Sequence, residues 1–131
     1  MIVGILKEIK TAENRVSMTP TGVEQMLHHG HTLLVEKNAG KNSGYTNTEY
    51  ANTGATIVET AAEIYRQADM VMHVKEPLPQ EYDLIRPNQI IFTYLHLAAD
   101  EQQTRALIKA GSINIAYETI SPDSCETKNT D

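Results

Sequence analysis

Short apolar runs alternate along the chain with stretches whose apolar positions return every third or fourth residue. Residues 2–6 are an apolar run containing one glycine, which predicts a buried parallel strand. Residues 7–18 are polar and show no sustained period, so they read as a strand-to-helix loop carrying Lys7, Glu8, Glu13 and Arg15. Thr19-Pro20 then opens a helix. Threonine caps it, proline fits its first position, and Val23, Met26 and Leu27 recur at helical spacing until Gly30 stops it. A second strand covers residues 31–36 and runs into a glycine-bearing loop, 38–45. Thr46, with Glu49 three residues on, is a capping-box pattern that predicts a short helix over 46–54. A short strand at 56–58 follows, and then a helix at 60–67 with Ala61, Ile64 and Tyr65 on one side.

The later elements repeat the scheme. Residues 69–74 predict a strand that Pro77 and Pro79 keep from running on. A helical turn is expected over 80–85, a turn at Pro87-Asn88, and a strand over 89–94. Residues 100–110 predict a helix with Ala106, Leu107 and Ala110 inward and Gly111 as its stop, and 113–117 a final strand. This alternation implies a three-layer α/β sandwich with a mainly parallel sheet, flavodoxin-like or Rossmann-like, joined by right-handed crossovers. The domain is expected to span residues 1–120. From Ser121 the chain has no apolar residue apart from Pro122 and Cys125, so 121–131 is expected to be a disordered tail.

Composition narrows the classes. The 131 residues are 40% hydrophobic, enough for one domain with a core. A net charge of −6 without a basic run argues against nucleic acid and anionic membranes as partners. No apolar run approaches the ~18 residues of a membrane span, and the first residues lack the pattern of a signal peptide. The single cysteine, Cys125, cannot form an internal disulfide, which makes a cytoplasmic location the expectation. No Cys/His spacing suits a metal.

Three residues stand where an open α/β sheet places its ligand crevice, beyond the carboxyl ends of strands. Arg15 follows the first strand, and its guanidinium fits a carboxylate; the plainer reading is a solvated arginine paired with Glu13. Lys75 follows the apolar run Met70-Val71-Met72 and offers an ammonium to a carboxylate or carbonyl oxygen, although a surface lysine is the ordinary alternative. His96 follows Ile90-Ile91-Phe92 and can move a proton near neutral pH, unless it is a satisfied loop histidine. His28 and His29 are expected at an exposed helix end, and His73 inside a strand without a special role. Gly40 and Gly44 do not make a G-x-G-x-x-G fingerprint, and nothing else in the chain does.

Several segments carry a family resemblance. Lys7-Glu8-Ile9-Lys10, Glu13-Asn14-Arg15-Val16 and Thr19-Pro20 together resemble the amino-terminal signature of the alanine dehydrogenases. Glu36-Lys37-Asn38-Ala39-Gly40 with Ser43-Gly44-Tyr45 is similar to that family's second strand and loop. Val74-Lys75-Glu76-Pro77 resembles its lysine motif, and Thr93-Tyr94-Leu95-His96-Leu97-Ala98-Ala99 its histidine motif. Ala116-Tyr117-Glu118-Thr119-Ile120 resembles the strand before its second domain, and the tail 121–131 is expected to lie outside the family resemblance. The related proton-translocating transhydrogenases share the first motif and the lysine region, but as a family they lack a histidine at the position of His96.

The resemblance implies a substrate domain of an enzyme that converts L-alanine, NAD and water to pyruvate, ammonium and NADH. It implies that Arg15 and Lys75 bind the carboxylate and carbonyl side of the substrate and that His96 is the general acid/base. It places Tyr94 and Glu118 in the pocket lining. In that family NAD binds a separate Rossmann domain that this sequence does not contain. No NAD binding is therefore expected of this chain alone, and the chain alone is expected to be inactive. A homo-oligomer is the expected assembly. The alternatives are a non-catalytic binding or oligomerisation module, or a transhydrogenase-type domain.

Overall fold

The computed structural model describes residues 1–8, 16–74, 79–93 and 108–116. Six strands form one sheet: β1 (Ile2–Ile5), β2 (Thr32–Glu36), β3 (Thr56–Val58), β4 (Met70–Met72), β5 (Ile90–Thr93) and β6 (Ile113–Ala116). Their order is β3-β2-β1-β4-β5-β6. Every neighbouring pair is parallel; Ile5 lies beside Val35 on one side and Met72 on the other. This is the Rossmann order rather than the flavodoxin one. The chain builds outward from β1 to β3, then returns to place β4 on the other side of β1. The gap between β1 and β4 is thus the topological switch point, where crossovers diverge and leave room for a ligand.

Alternation along the strands sorts residues into two cores. Val3, Ile5, Leu33, Val35 and Met72 face helices α1 (Pro20–His28) and α2 (Asn47–Asn52). Leu6, Leu34, Val71 and Ile91 face helix α3 (Ala61–Gln67), together with Ile85 from the turn after a 3-10 helix at Pro79–Leu84. Two apolar cores on opposite faces of one sheet make the expected three layers.

Local chemistry sets the helix starts. The Thr19 side chain accepts from Gly22 N, with Pro20 in the first turn. Thr46 and Glu49 form the full capping box, Oγ1 accepting from Glu49 N and the glutamate accepting from Thr46 N. Thr60 caps α3 through Glu63 N. The loop 38–45 contains a 3-10 turn, Lys41–Ser43, closed by Gly44 at φ 87°. Residues 108–110 are helical and end at Gly111 (φ 74°), as expected; Ala110 packs against the α3-side core while Ile108 is exposed.

The carboxyl end of α3 is closed by two side chains from beyond the 3-10 helix. Arg86 donates from Nε to Tyr65 O at 2.8 Å and from Nη2 to Ala68 O at 2.7 Å, and Gln89 Nε2 donates to the same two carbonyls. These carbonyls lack intrahelical partners, so the arrangement satisfies groups that would otherwise cost free energy when buried. Arg86→Ala is expected to lower stability by about 1–2 kcal/mol, the lower part of the range for a charged donor because Gln89 still serves both acceptors. A shift of the urea midpoint at constant m value would show it.

Candidate functional site

The alternation that builds the α3-side core also places polar groups at its rim. Gly4, Leu6 and Glu8 share one parity, as do Leu34 and Glu36, and Val71 and His73. The three polar members of these rows end on the α3 face at the carboxyl ends of β1, β2 and β4. They bracket the switch point.

His73 is 4% exposed and lies between two carboxylates, with Nδ1 at 3.0 Å from Glu8 Oε2 and Nε2 at 2.9 Å from Glu81 Oε2. Tyr65 Oη, from α3, donates to Glu81 Oε2 at 3.1 Å and lies 3.3 Å from His73 Nε2. Glu8 Oε2 also accepts from Val74 N at 2.9 Å. Both imidazole nitrogens face carboxylate oxygens, and an ionised carboxylate can only accept, so the ring carries both protons. Burial alone would push its pKa down, but the hydrogen bonds and charges of Glu8 and Glu81 outweigh it and raise the pKa to about 9. His73 is therefore an imidazolium at neutral pH. No group of three or more His, Cys, Asp and Glu among the described residues is placed to hold a metal ion.

Glu36 adds a third carboxyl group. Its Oε1 accepts from Lys7 N at 2.8 Å. Burial raises its pKa, against the lowering by the Lys7 amide, and the negative charge of Glu81 adds to the rise. Burial also raises the Tyr65 phenol well above its ordinary value, reinforced by Glu81, so the hydroxyl stays a donor.

The cluster holds the roots of two segments. Lys7 N and Glu8 are fixed where the chain enters 9–15. Where it re-emerges, Ser17 Oγ donates to Met72 O at 3.4 Å and Met18 O accepts from Tyr50 Oη at 2.7 Å. Val74 N is fixed where the chain enters 75–78, and Glu81 pins the 3-10 helix that follows to His73. Arg15 and Lys75 belong to these two segments. With Tyr94, His96 and Glu118, they lie outside the described residues, as does the expected tail 121–131.

His73 corrects the expectation from sequence. The strand stops at Met72, and His73 stands just past its end, with its amide bonded to Phe92 O and its side chain at the centre of the buried cluster. A histidine in an apolar run, with a glutamate just past the end of the neighbouring strand, is the signal that was available. His28 and His29 are exposed at the end of α1, as expected.

The stretch after β1, residues 6–19, contains no glycine. A nucleotide-binding half would present a glycine-rich turn and a helix amino terminus to the pyrophosphate there. This chain presents Leu6-Lys7-Glu8, with the Glu8 carboxylate on the His73 ring. An open hollow of about 360 Å³ lies off the end of β2, lined by Asn38, Lys41, Gly44, Tyr45, Thr46 and Asn47.

The architecture is therefore a Rossmann-order α/β domain with a buried polar cluster at its switch point. The chain belongs to the alanine dehydrogenase/PNT N-terminal domain family, matched over residues 4–128. It is 50% identical over 120 residues to an alanine dehydrogenase of Staphylococcus saprophyticus, covering 92% of this chain and 32% of that protein. A solved L-alanine dehydrogenase superposes with a TM-score of 0.89 at 42% identity, over 95% of this chain and 34% of that one. The transhydrogenase from Sinorhizobium meliloti superposes at 0.86 with 27% identity, over 93% of this chain and 36% of that one. The chain thus spans about one third of the relatives it matches. Among the described residues no helix is long and apolar enough to cross a membrane.

Proposed function

We propose that this chain is the substrate-binding domain of an NAD-dependent alanine dehydrogenase, holding pyruvate or L-alanine at the rim of the sheet between β1 and β4. The observation that carries the reading is the family membership. It is supported by the position of the segments bearing Arg15 and Lys75, whose roots leave the sheet at the switch point. In this reading Arg15 receives the substrate carboxylate in its planar fork, and Lys75 takes the carbonyl side. His96 follows β5, the next strand along, and moves protons as water adds to and leaves the imine. Tyr94 and Glu118 line the same hollow. NAD is held by a domain other than this one, and the working enzyme is a cytoplasmic homo-oligomer. The higher identity to alanine dehydrogenases than to the transhydrogenase, 42% against 27% among the solved structures, favours this reading over a transhydrogenase-type domain.

Binding tests it directly. Pyruvate titrated into the labelled chain should shift amide resonances at the β1–β4 rim, while Lys75→Ala and Arg15→Ala should each weaken binding by about tenfold or more, the usual loss of a charge-assisted contact. Shifts that acetate reproduces equally well, and that both variants retain, would refute a 2-oxo acid site. No NADH is expected from the chain alone with L-alanine and NAD.

A further inference from the structure

The family reading accounts for Arg15, Lys75 and His96 but gives no work to the buried groups beneath them. Glu8, His73, Glu81 and Tyr65 come from the ends of β1 and β4, the 3-10 helix and α3, and all four are buried. A purely apolar filling would serve the core at least as well, since burying charges is expensive even when they are paired. What the cluster does that an apolar filling cannot is bind backbone. Glu8 Oε2 accepts from His73 Nδ1 and from Val74 N with one oxygen, so the chain direction at the exit of β4 is set by the carboxylate at the exit of β1. Glu81 holds the far end of the 75–78 segment to the same ring. Glu36 fixes Lys7 N, and Ser17 returns to Met72 O, one residue before His73.

We propose that His73 is a positioning residue: held between Glu8 and Glu81, it locks together the roots of the segments that carry Arg15 and Lys75, so that both cations meet one 2-oxo acid. The ligand half of this inference rests on the function proposed above; the anchoring half stands without it. The ring has to be charged. A neutral imidazole has one donor and would leave a carboxylate against a lone pair on the other side, opening either the Glu8 or the Glu81 contact. Among the described residues, the titratable groups facing the ring are Glu8 after β1, Glu36 at the end of β2, Tyr65 on α3 and Glu81 on the 3-10 helix. From β5 it meets only the Phe92 carbonyl, through its own amide. Lys75 follows His73 by two residues, so a tilt at Val74 passes directly into it.

Nitrogen-15 NMR on the full chain from about pH 7 to about pH 10 tests the anchoring, since the ring nitrogens report protonation directly. The amides of residues 9–15, 75, 76 and 78 should shift together with the ring, with a midpoint near 9. Pyruvate affinity should fall about tenfold or more over the same midpoint, as expected when binding groups are misplaced by an ångström. His73→Gln should show that loss already at neutral pH. His73→Lys, which restores a cation with several donors, should return affinity to within about threefold and keep it beyond the wild-type midpoint. Val23→Ala, a core truncation on α1 away from the cluster, should bind as wild type despite lost stability. Amides in the two segments that ignore the ring titration, or a folded His73→Gln that binds as wild type, would overturn the proposal. If His73→Gln does not fold, the wild-type titration decides alone. Absence of any pyruvate binding by the wild type would refute the function proposed above, while the amide titration would still decide the anchoring.

Discussion

Replacing His73 with leucine is expected to lower the unfolding free energy by about 3–5 kcal/mol, the range seen when one member of a buried ion cluster is removed. Leucine fills much of the space but removes the ring nitrogens that Glu8 and Glu81 both contact. The size of the loss therefore reflects the broken ring contacts of two buried carboxylates rather than the net worth of the cluster. The wild type carries a second signature. The imidazole pKa rises from 6.5 in the unfolded chain to about 9 in the fold. The folded state then binds the proton more tightly, so the contribution is fully present below 6.5 and is lost as pH climbs through about 9. A shift of that size corresponds to roughly 3 kcal/mol, and burial leaves little solvent to screen it. Urea denaturation at closely spaced pH values should show wild-type stability falling across this window and a flat curve for His73→Leu. Glu36 does not confuse the result. Its raised carboxyl pKa stabilises the fold only at the acidic end, and that contribution declines as pH rises from 4.5. A wild-type curve that is level between neutrality and mild alkali, or a leucine variant that keeps the slope, would show that the ring is not an imidazolium in the folded chain.

The contrast between elements and cluster shows what a sequence of this kind discloses. Thr19-Pro20, Thr46 with Glu49, and the strand-length runs at 2–6 and 31–36 are local signals, and the six strands and helices α1 to α3 lie within a residue or two of their expectations. The choice between a flavodoxin-like and a Rossmann-like order was not local. Both share the same alternation of elements, and the deciding event is the return from β3 across β2 to the free side of β1. The buried cluster was hidden for a related reason. Glu8 and His73 are 65 residues apart, and only the parallel pairing of β1 with β4 brings them into contact. In sequence, Glu8 is one charge in a polar loop and His73 one interruption of an apolar strand. The candidate binding groups are the reverse case. Arg15, Lys75 and His96 were singled out by position and then by motif resemblance, Tyr94 and Glu118 by resemblance alone, and the described structure holds the roots of the segments bearing Arg15 and Lys75, not those side chains.

Gly4→Ala should test the most demanding packing in the molecule. Gly4 sits in β1, the strand through which the whole sheet is ordered, on the face covered by α3. A Cβ built there would overlap Ile64 Cγ2 and come within 3.2 Å of Ala68 Cβ, so α3 lies closer to β1 than any larger residue permits. Two effects oppose each other. Alanine would remove about 0.5–1 kcal/mol of the chain entropy that glycine forfeits in a strand. Overpacking against a β-branched side chain on a short helix costs about 1–3 kcal/mol, and the obstructing methyl sits next to the backbone and cannot swing away. The overlap is expected to win, leaving a net loss of about 1–2 kcal/mol in chemical denaturation, with valine worse. The double variant separates this cause from general strand effects. Ile64→Ala alone should cost about 2–5 kcal/mol through its cavity. In that background Gly4→Ala should become neutral or stabilising, because the new methyl enters vacated space, and the coupling should exceed about 1 kcal/mol. Strictly additive losses would place the strain elsewhere. A stabilised single variant would mean that α3 stands off the sheet, and with it Tyr65 would lose its reach to Glu81 and His73.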